Sequence, residues 1–144
     1  MPDGESARPD SLITVRRILC VEDEPALLED LCTELVDQGF LVETAVDGLE
    51  GLELLALGEF DLVLCDMRLP GMTGLELMRA DLARGRPRPQ PPFVFLTAYA
   101  DEEIRHEALA GGAADFIVKP VDYMQLLDRL GQLFEGAGNA AGTG

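Results

Sequence analysis

Residues 62–74 read LVLCDMRLPGMTG, an apolar run that ends on the acid Asp66 and continues into turn residues. A run of this kind, bounded by an acid, is typical of a buried β-strand. Pro70, Gly71 and Gly74 then mark a turn before a stretch with helical periodicity. The segment therefore predicts a strand, a loop and the start of a helix.

The same alternation of a short apolar run and a longer helical stretch occurs five times in the 144 residues. We predict buried strands at residues 18–21, 41–45, 62–65, 93–97 and 116–118. We predict helices at residues 25–38, 48–57, 74–83, 101–110 and 122–134. Apolar strands alternating with helices indicate a parallel sheet covered on both faces. We therefore expect an α/β fold, a doubly wound (βα)5 three-layer sandwich with strand order 2-1-3-4-5.

The length of the chain allows one domain, and its 47% hydrophobic residues can build a core without disulfides or a structural metal. Small and polar residues dominate both ends of the sequence. We expect a disordered N-terminal tail over residues 1–11, one domain over residues 12–135, and a flexible tail or truncated linker over residues 136–144.

The charge balance is strongly acidic, with 27 Asp and Glu against 11 Lys and Arg and a net charge of −16. Such a chain repels phosphate backbones and anionic lipid, so we expect no direct nucleic-acid binding and no membrane binding. The three cysteines lack CxxC spacing, and a single histidine completes no zinc or iron–sulfur ligand set. We expect a cytoplasmic protein with reduced thiols.

Polar side chains lie at the carboxyl ends of four predicted strands. Glu22 and Asp23 follow the first strand, Asp66 follows the third, Thr97 ends the fourth, and Lys119, the only lysine, follows the fifth. Taken singly, they can be explained as a helix cap, a turn, a strand residue and a solvated charge. Together they converge on one edge of one sheet. That edge, where the strand order reverses between strands 1 and 3, is where doubly wound folds bind ligands.

The chemistry of this set points to a metal and a phosphate. Three crowded carboxylates need a compensating cation, and oxygen ligands on short side chains suit Mg²⁺ that keeps several waters. A lysine and a threonine supply a charge and a donor for phosphoryl oxygens. Neither GxxxxGK[ST] nor GxGxxG is present, so we predict phosphate chemistry without a nucleotide site.

The sequence resembles the receiver domain of bacterial two-component response regulators, of the chemotaxis-regulator type. The resemblance extends over about residues 17–134 and implies a flavodoxin-like fold. It is carried by four motifs in matching order and spacing: Glu22-Asp23, residues 62–74, Leu96-Thr97-Ala98 and Lys119-Pro120.

The resemblance implies that Asp66 accepts a phosphoryl group from a sensor histidine kinase or a histidine phosphotransfer protein. The reaction would depend on Mg²⁺, with Mn²⁺ as a substitute. Asp23 and Asp66 would hold the ion directly, Glu22 through water, and Arg68 through its backbone carbonyl.

It also implies a set of phosphoryl contacts and a switch. Lys119 and Thr97 would contact the phosphoryl group, together with the backbone N–H groups of Met67 and Ala98. Thr97 and Phe116 would form the switch, although the family more often has tyrosine in place of Phe116. The face made by the fourth helix, fifth strand and fifth helix would then control an output partner or domain.

Four further features allow two interpretations each. Arg68 and Tyr99 resemble positions that tune the phosphoryl lifetime, or they are ordinary loop residues. His106 stands among acids and is expected to be an exposed surface residue, not a phosphodonor. Residues 84–92 (RGRPRPQPP) indicate a semi-rigid loop or a docking segment for a partner.

The function expected from the resemblance is a switch, not an enzyme that turns over an external substrate. A Mg²⁺-dependent phosphatase with an aspartyl nucleophile is a competing hypothesis, but Arg68 stands where such hydrolases carry a second acid. The sequence also permits a receiver cut from a larger regulator or hybrid kinase, and a pseudo-receiver that serves only as an interaction module. We expect a monomer or a weak dimer.

Overall fold

The structure is a computed structural model that describes residues 15–85, 89–98 and 102–143, with side chains described as far as Glu135. One parallel sheet contains five strands: β1 (Arg17–Val21), β2 (Leu41–Ala45), β3 (Leu62–Asp66), β4 (Phe93–Thr97) and β5 (Asp115–Val118). The helices between and after them are α1 (Pro25–Asp37), α2 (Gly48–Leu57), α3 (Gly74–Arg84), α4 (Glu102–Ala110) and α5 (Tyr123–Thr143). Strand order is β2-β1-β3-β4-β5, which confirms the predicted doubly wound sandwich.

The sheet divides the core into two apolar clusters. Side chains alternate across β1, so Leu19 and Val21 pack into one cluster while Ile18 and Cys20 pack into the other. Helices α2, α3 and α4 cover the first cluster with Leu55, Leu77 and Ala108, and helices α1 and α5 cover the second with Leu31, Leu35, Leu126 and Leu130. This is the predicted three-layer arrangement.

The strand β2 differs from the prediction because it is not buried. Leu41 is 56% exposed, and only Ala45 of this strand is fully buried. As the edge strand, β2 has a sheet neighbour on one side only. Its Glu43 forms an ion pair with Arg17 of β1, which places polar side chains on that edge.

A short hairpin after β3 was not predicted. Arg68–Leu69 pairs antiparallel with Met72–Thr73 around Pro70 and Gly71. Gly71 has φ +80°, a left-handed conformation that glycine adopts without strain. We call this segment the 68–73 hairpin. Its strands are only two residues long, which is too short for an alternating pattern to be recognised in the sequence.

The last helix, α5, is longer than predicted. It begins at Tyr123 and ends at Thr143, whereas we expected a helix over residues 122–134 and a flexible tail from residue 136. Extending an existing helix costs less than nucleating one, and the alanines in this segment favour helix, so the backbone continues beyond Phe134. The tail predicted at residues 1–11 lies outside the described residues.

The cysteines behave as predicted. All three are thiols that form no disulfide, and Cys20 and Cys65 are fully buried. Burial raises the pKa of Cys20 to about 12, with nearby Cys32 and Glu22 adding to the effect, and burial also raises the pKa of Cys65. The thiols of Cys20 and Cys65 therefore stay protonated and pack as small apolar side chains.

Two described residues of the arginine- and proline-rich segment, Arg84 and Gln90, bond to α3. Asp81 of α3 is fully buried and accepts hydrogen bonds from Arg84 (2.6 Å) and from the side-chain amide of Gln90 (2.9 Å). The same amide donates to the carbonyl of Met78 at 2.8 Å. Residues 86–88 lie outside the described part, so the predicted docking role stays a prediction. Among the described residues, no helix combines the length and apolarity needed to span a bilayer.

Close packing at Gly74 joins α3 to the end of β3. A Cβ atom at this position would lie 2.5 Å from the backbone oxygen of Asp66 and 2.9 Å from the ring of Phe95. The N–H of Gly74 also donates to the carbonyl of Met67 at 2.8 Å. Because the nearest obstacle is backbone, a side chain cannot be accommodated by a rotamer change alone.

We therefore expect Gly74→Ala to lower the free energy of unfolding by about 1–3 kcal/mol, the usual cost of overpacking. Gly131→Ala is the matched control, since a Cβ atom at this helical glycine meets no atom within 4 Å. The control should be neutral or stabilise the protein by roughly 0.5–1 kcal/mol. Urea unfolding followed by circular dichroism measures both, and equal effects would contradict the packing argument.

Candidate functional site

Three carboxylates meet at the carboxyl edge of the sheet, beside the strands β1 and β3. Glu22 and Asp23 follow β1 directly, and Asp66 is the last residue of β3. One ligand oxygen from each lies within 4.8 Å of the others. The sheet thus brings together residues more than 40 positions apart, as predicted from the strand order.

Asp66 is buried, and both of its carboxylate oxygens accept hydrogen bonds. Oδ1 accepts from the backbone N–H of Arg68 at 3.0 Å, and Oδ2 accepts from Nζ of Lys119 at 2.8 Å. Asp66 pairs with Leu96 of β4, which fixes the backbone of Asp66 in a strand that lies between β1 and β4. The carboxylate is therefore held in one orientation at the sheet edge.

Lys119 is the positive charge of the site. It follows β5 directly, its N–H donates to the carbonyl of Thr97 at 2.7 Å, and its peptide bond to Pro120 is cis. Its Nζ lies 3.2 Å from Oε1 of Glu22 and 2.8 Å from Asp66. Burial lowers the pKa of Lys119, but the hydrogen bond and charge of Asp66 and the charge of Glu22 outweigh burial and leave the pKa raised. The ammonium is therefore charged at neutral pH.

Glu22 is the most buried of the three acids, with 1% of its surface exposed. Its Oε2 accepts from the N–H of Glu24 at 2.9 Å. Its Oε1 lies within ion-pair distance of Lys119 but makes no hydrogen bond of acceptable geometry in the described part of the chain. Burial raises the pKa of Glu22 to about 7, and Asp66 adds to the rise, while the Glu24 N–H and Lys119 oppose it.

This arrangement fits a hard divalent cation. The donors are carboxylate oxygens, one of them is buried without a hydrogen bond, and one lysine cannot neutralise three acids. Asp23 is exposed, which leaves a side of the cluster open to water. The helix α1 has Glu24 as its N-cap with no side-chain capping bond, so the carboxylate of Asp23 is not used as a cap.

The two residues predicted to form a switch lie on neighbouring strands. Thr97 ends β4, is 3% exposed, and is adjacent to Leu96, the sheet partner of Asp66. Phe116 of β5 is 9% exposed and packs in the same apolar cluster as Phe95. The ring of Phe116 therefore lies inside the core, which is the inward one of the two positions that the predicted switch would use.

The remaining predicted site residues differ in their exposure and hydrogen bonding. Arg68 has an exposed side chain, and Ala98 is exposed directly after β4. The N–H of Met67 donates to the carbonyl of Leu96 at 2.8 Å, so the predicted phosphoryl contact would need this bond to break. Tyr99 lies outside the described residues. His106 is exposed on α4, in agreement with the prediction of a surface residue.

One contact of the site was missed in the sequence. The amide that donates to the Asp66 carboxylate belongs to Arg68, whereas the N–H of Met67 donates to the carbonyl of Leu96. The available signal was the aspartate itself, because an Asp side chain readily accepts from the backbone N–H two residues later.

Comparison with known proteins identifies the family. Residues 18–131 match the family model described as the response regulator receiver domain. The transcriptional regulatory protein DltR of Streptococcus agalactiae is 38% identical over 114 residues, which are 79% of this chain and 50% of that protein. The two-component response regulator PhoP of Pseudomonas aeruginosa is 38% identical over 117 residues, which are 81% of this chain and 51% of that protein. The chain spans about half the length of the curated relatives it matches.

Solved structures give the same result. A CheY-like response regulator receiver domain protein from Methanospirillum hungatei has a TM-score of 0.80 and 31% identity, covering 88% of this chain and 99% of that one. The non-phosphorylated HemR receiver domain from Leptospira biflexa has a TM-score of 0.73 and 37% identity, covering 81% of this chain and 92% of that one. Both the flavodoxin-like fold and the predicted resemblance are thereby confirmed. The chain belongs to the response regulator receiver domain family of two-component signalling.

Proposed function

We propose that Asp66 accepts a phosphoryl group from a phosphohistidine of a sensor histidine kinase or a histidine phosphotransfer protein. Accepting a phosphoryl group is the general role of the family. The observation that carries the proposal is the position of Asp66, buried at the sheet edge, 2.8 Å from Lys119 and clustered with Glu22 and Asp23.

The transfer can be written from the residues present. An oxygen of Asp66 attacks phosphorus in line, a P–O bond forms, and the P–N bond of the phosphohistidine breaks with its electron pair left on the imidazole. The hydrogen bond from the N–H of Arg68 fixes the rotation of the carboxylate. Lys119 already contacts this carboxylate, so its ammonium is in place for an oxygen of the incoming phosphoryl group.

The metal proposed for this site is Mg²⁺, with Mn²⁺ as a substitute. Asp23 and Asp66 would bind it directly, Glu22 through water, and Arg68 through its backbone carbonyl. When bound, the ion offsets negative charge on the transferring phosphoryl group. The Glu22 oxygen that accepts no hydrogen bond and the exposure of Asp23 support this assignment.

Phosphorylation would be read through Thr97 and Phe116. The hydroxyl of Thr97 would move onto a phosphoryl oxygen together with the N–H of Ala98, and the ring of Phe116 would respond by changing its position. The N–H of Lys119 donates to the carbonyl of Thr97 at 2.7 Å, which supports a coupling between these two sheet-edge residues. The face formed by α4, β5 and α5 would carry the signal to an output protein or domain, and Arg68 and Tyr99 would tune the lifetime.

Several wider properties remain proposals. We infer a switch that loses its own phosphate and does not turn over an external substrate, because Arg68 occupies the place of the second acid of aspartyl phosphatases. A domain boundary near residues 12 and 135, a cytoplasmic location, and a monomer or weak dimer remain predictions from the sequence. Relatives about twice as long support an output domain beyond the receiver.

Phosphorylation is tested by incubating the protein with acetyl phosphate or a phosphorylated kinase. We expect a hydroxylamine-labile phosphate on the wild type, none on Asp66→Asn, and a rate lower by about 100-fold or more without Mg²⁺. Asp128→Asn is the matched control, because Asp128 is an exposed acid on α5 bonded to Gln132. Labelling of Asp66→Asn equal to that of the wild type would refute the proposal.

The raised pKa of Glu22 predicts a pH-dependent effect on stability in the absence of metal. The fold favours the protonated form, so the stability contributed by Glu22 is present below the ordinary pKa of 4.5 and is lost as the pH rises through about 7. Glu22→Gln should therefore stabilise the protein by about 1–3 kcal/mol at pH 8 in a chelator and have little effect at pH 4.5. Urea unfolding at both pH values measures the difference, and a gain independent of pH would contradict it.

The proposed switch of Thr97 and Phe116 can be tested separately from the phosphorylation of Asp66. Thr97→Ala should keep the phosphorylation of Asp66 but lose the change in NMR chemical shifts of Phe116 that follows it, because the hydroxyl that joins the two events is gone. Thr97→Ser retains the hydroxyl and should preserve the shift change. If Phe116 responds fully in Thr97→Ala, the proposed switch is wrong.

A further inference from the structure

We propose that Thr73 and Glu76 are positioning residues that fix the carbonyl of Arg68 for the divalent cation. The inference rests on the proposed function, since it concerns the proposed metal site. Neither side chain belongs to the acidic cluster, and both are exposed at the start of α3.

The first step is the pairing within the 68–73 hairpin. Arg68 lies opposite Thr73, and Leu69 lies opposite Met72. The N–H of Arg68 donates to Asp66, and the N–H of Thr73 donates to Glu76, so these two residues do not exchange backbone hydrogen bonds. They form a non-hydrogen-bonded pair, in which both backbones direct their polar groups away from each other.

The second step concerns the direction of the Arg68 carbonyl. In an extended residue the N–H and the C=O project to the same side of the strand. Because the N–H of Arg68 reaches the carboxylate of Asp66, its carbonyl lies on the side of the acidic cluster. The contacts that hold Arg68 opposite Thr73 lie on either side of this pair: Leu69 pairs with Met72, and the N–H of Gly74 donates to the carbonyl of Met67 at 2.8 Å. The orientation of the Arg68 carbonyl therefore depends on how firmly the strand that carries Thr73 is held.

The third step is the anchoring of Thr73. Its Oγ1 accepts from the N–H of Glu76 at 3.0 Å, while Oε1 of Glu76 accepts from the N–H of Thr73 at 2.8 Å, a reciprocal capping box. The next residue, Gly74, is bonded to Met67 and packed against the backbone of Asp66. Thr73 is thus tied to the first turn of a helix that itself rests on the end of β3.

These contacts give the capping box a second role besides starting α3, which is to anchor the hairpin strand opposite Arg68. Without it, the hairpin strand that carries Thr73 is held only through Gly74, and the pairing of two residues with two is too short to hold Arg68 firmly by itself. Groups that orient metal ligands without touching the metal commonly change metal affinity by about 10–100-fold when they are removed.

The test measures Mg²⁺ binding to the unphosphorylated full chain by isothermal titration calorimetry. We expect Thr73→Ala to raise the dissociation constant about tenfold and Thr73→Ser, which keeps the hydroxyl, to restore it. Glu76→Ala should raise the dissociation constant for Mg²⁺ in the same way. Glu76→Gln keeps the capping bond while removing the charge, so it should bind Mg²⁺ like the wild type. Phe134→Leu is the control for lowered stability, because Phe134 packs with Phe40 and Arg16 at the opposite edge of the sheet.

Weaker binding in Thr73→Ala and Glu76→Ala, with wild-type binding in Thr73→Ser, Glu76→Gln and Phe134→Leu, supports the inference. Wild-type affinity in Thr73→Ala overturns it, and so does an equal loss in Phe134→Leu, since that would be an effect of stability alone. If the wild type binds no Mg²⁺ and Asp66 is not phosphorylated, the proposed function fails. A wild type that binds Mg²⁺ and accepts phosphate, with an unchanged Thr73→Ala, refutes the positioning role only.

Discussion

The candidate site depends on the crowding of three carboxylates, Glu22, Asp23 and Asp66, at one edge of the sheet. The ligand oxygens of the three acids lie within 4.8 Å of one another, two of the acids are buried, and the fold brings a single lysine to them. Burial raises the pKa of Glu22, and Asp66 adds to the rise although Lys119 opposes it. Such an arrangement costs stability, and under the proposed function a bound cation would restore it.

Much of this site follows from the sequence because parallel strands leave their carboxyl ends at a common edge. Once the five apolar runs are read as strands in the order 2-1-3-4-5, Asp23 and Asp66 must lie side by side, although 43 positions separate them. Lys119 arrives at the same edge by the same rule. These residues are predictable because sheet topology, not side-chain detail, determines where they lie.

Other features depended on contacts that a linear pattern does not contain. The hydrogen bond from the N–H of Arg68 to Asp66 is a local contact between residues two positions apart, and the N–H of Met67 is used in the sheet because β3 continues to Asp66. The exposure of β2 follows from its place at the edge of the sheet, which its apolar composition does not reveal. The length of α5 follows from helix propagation into a segment whose glycines suggested a tail. Except for that local contact, the tertiary context decided between two locally acceptable conformations.

The anchoring of Gln90 and Arg84 on the buried Asp81 has a practical consequence for protein engineering. Arg84 and Gln90 bond to the same carboxylate, at the edge of the sheet opposite the acidic cluster. We expect a fluorescent protein or an affinity tag inserted between these two residues to leave the acidic cluster unchanged, since surface loops tolerate added length.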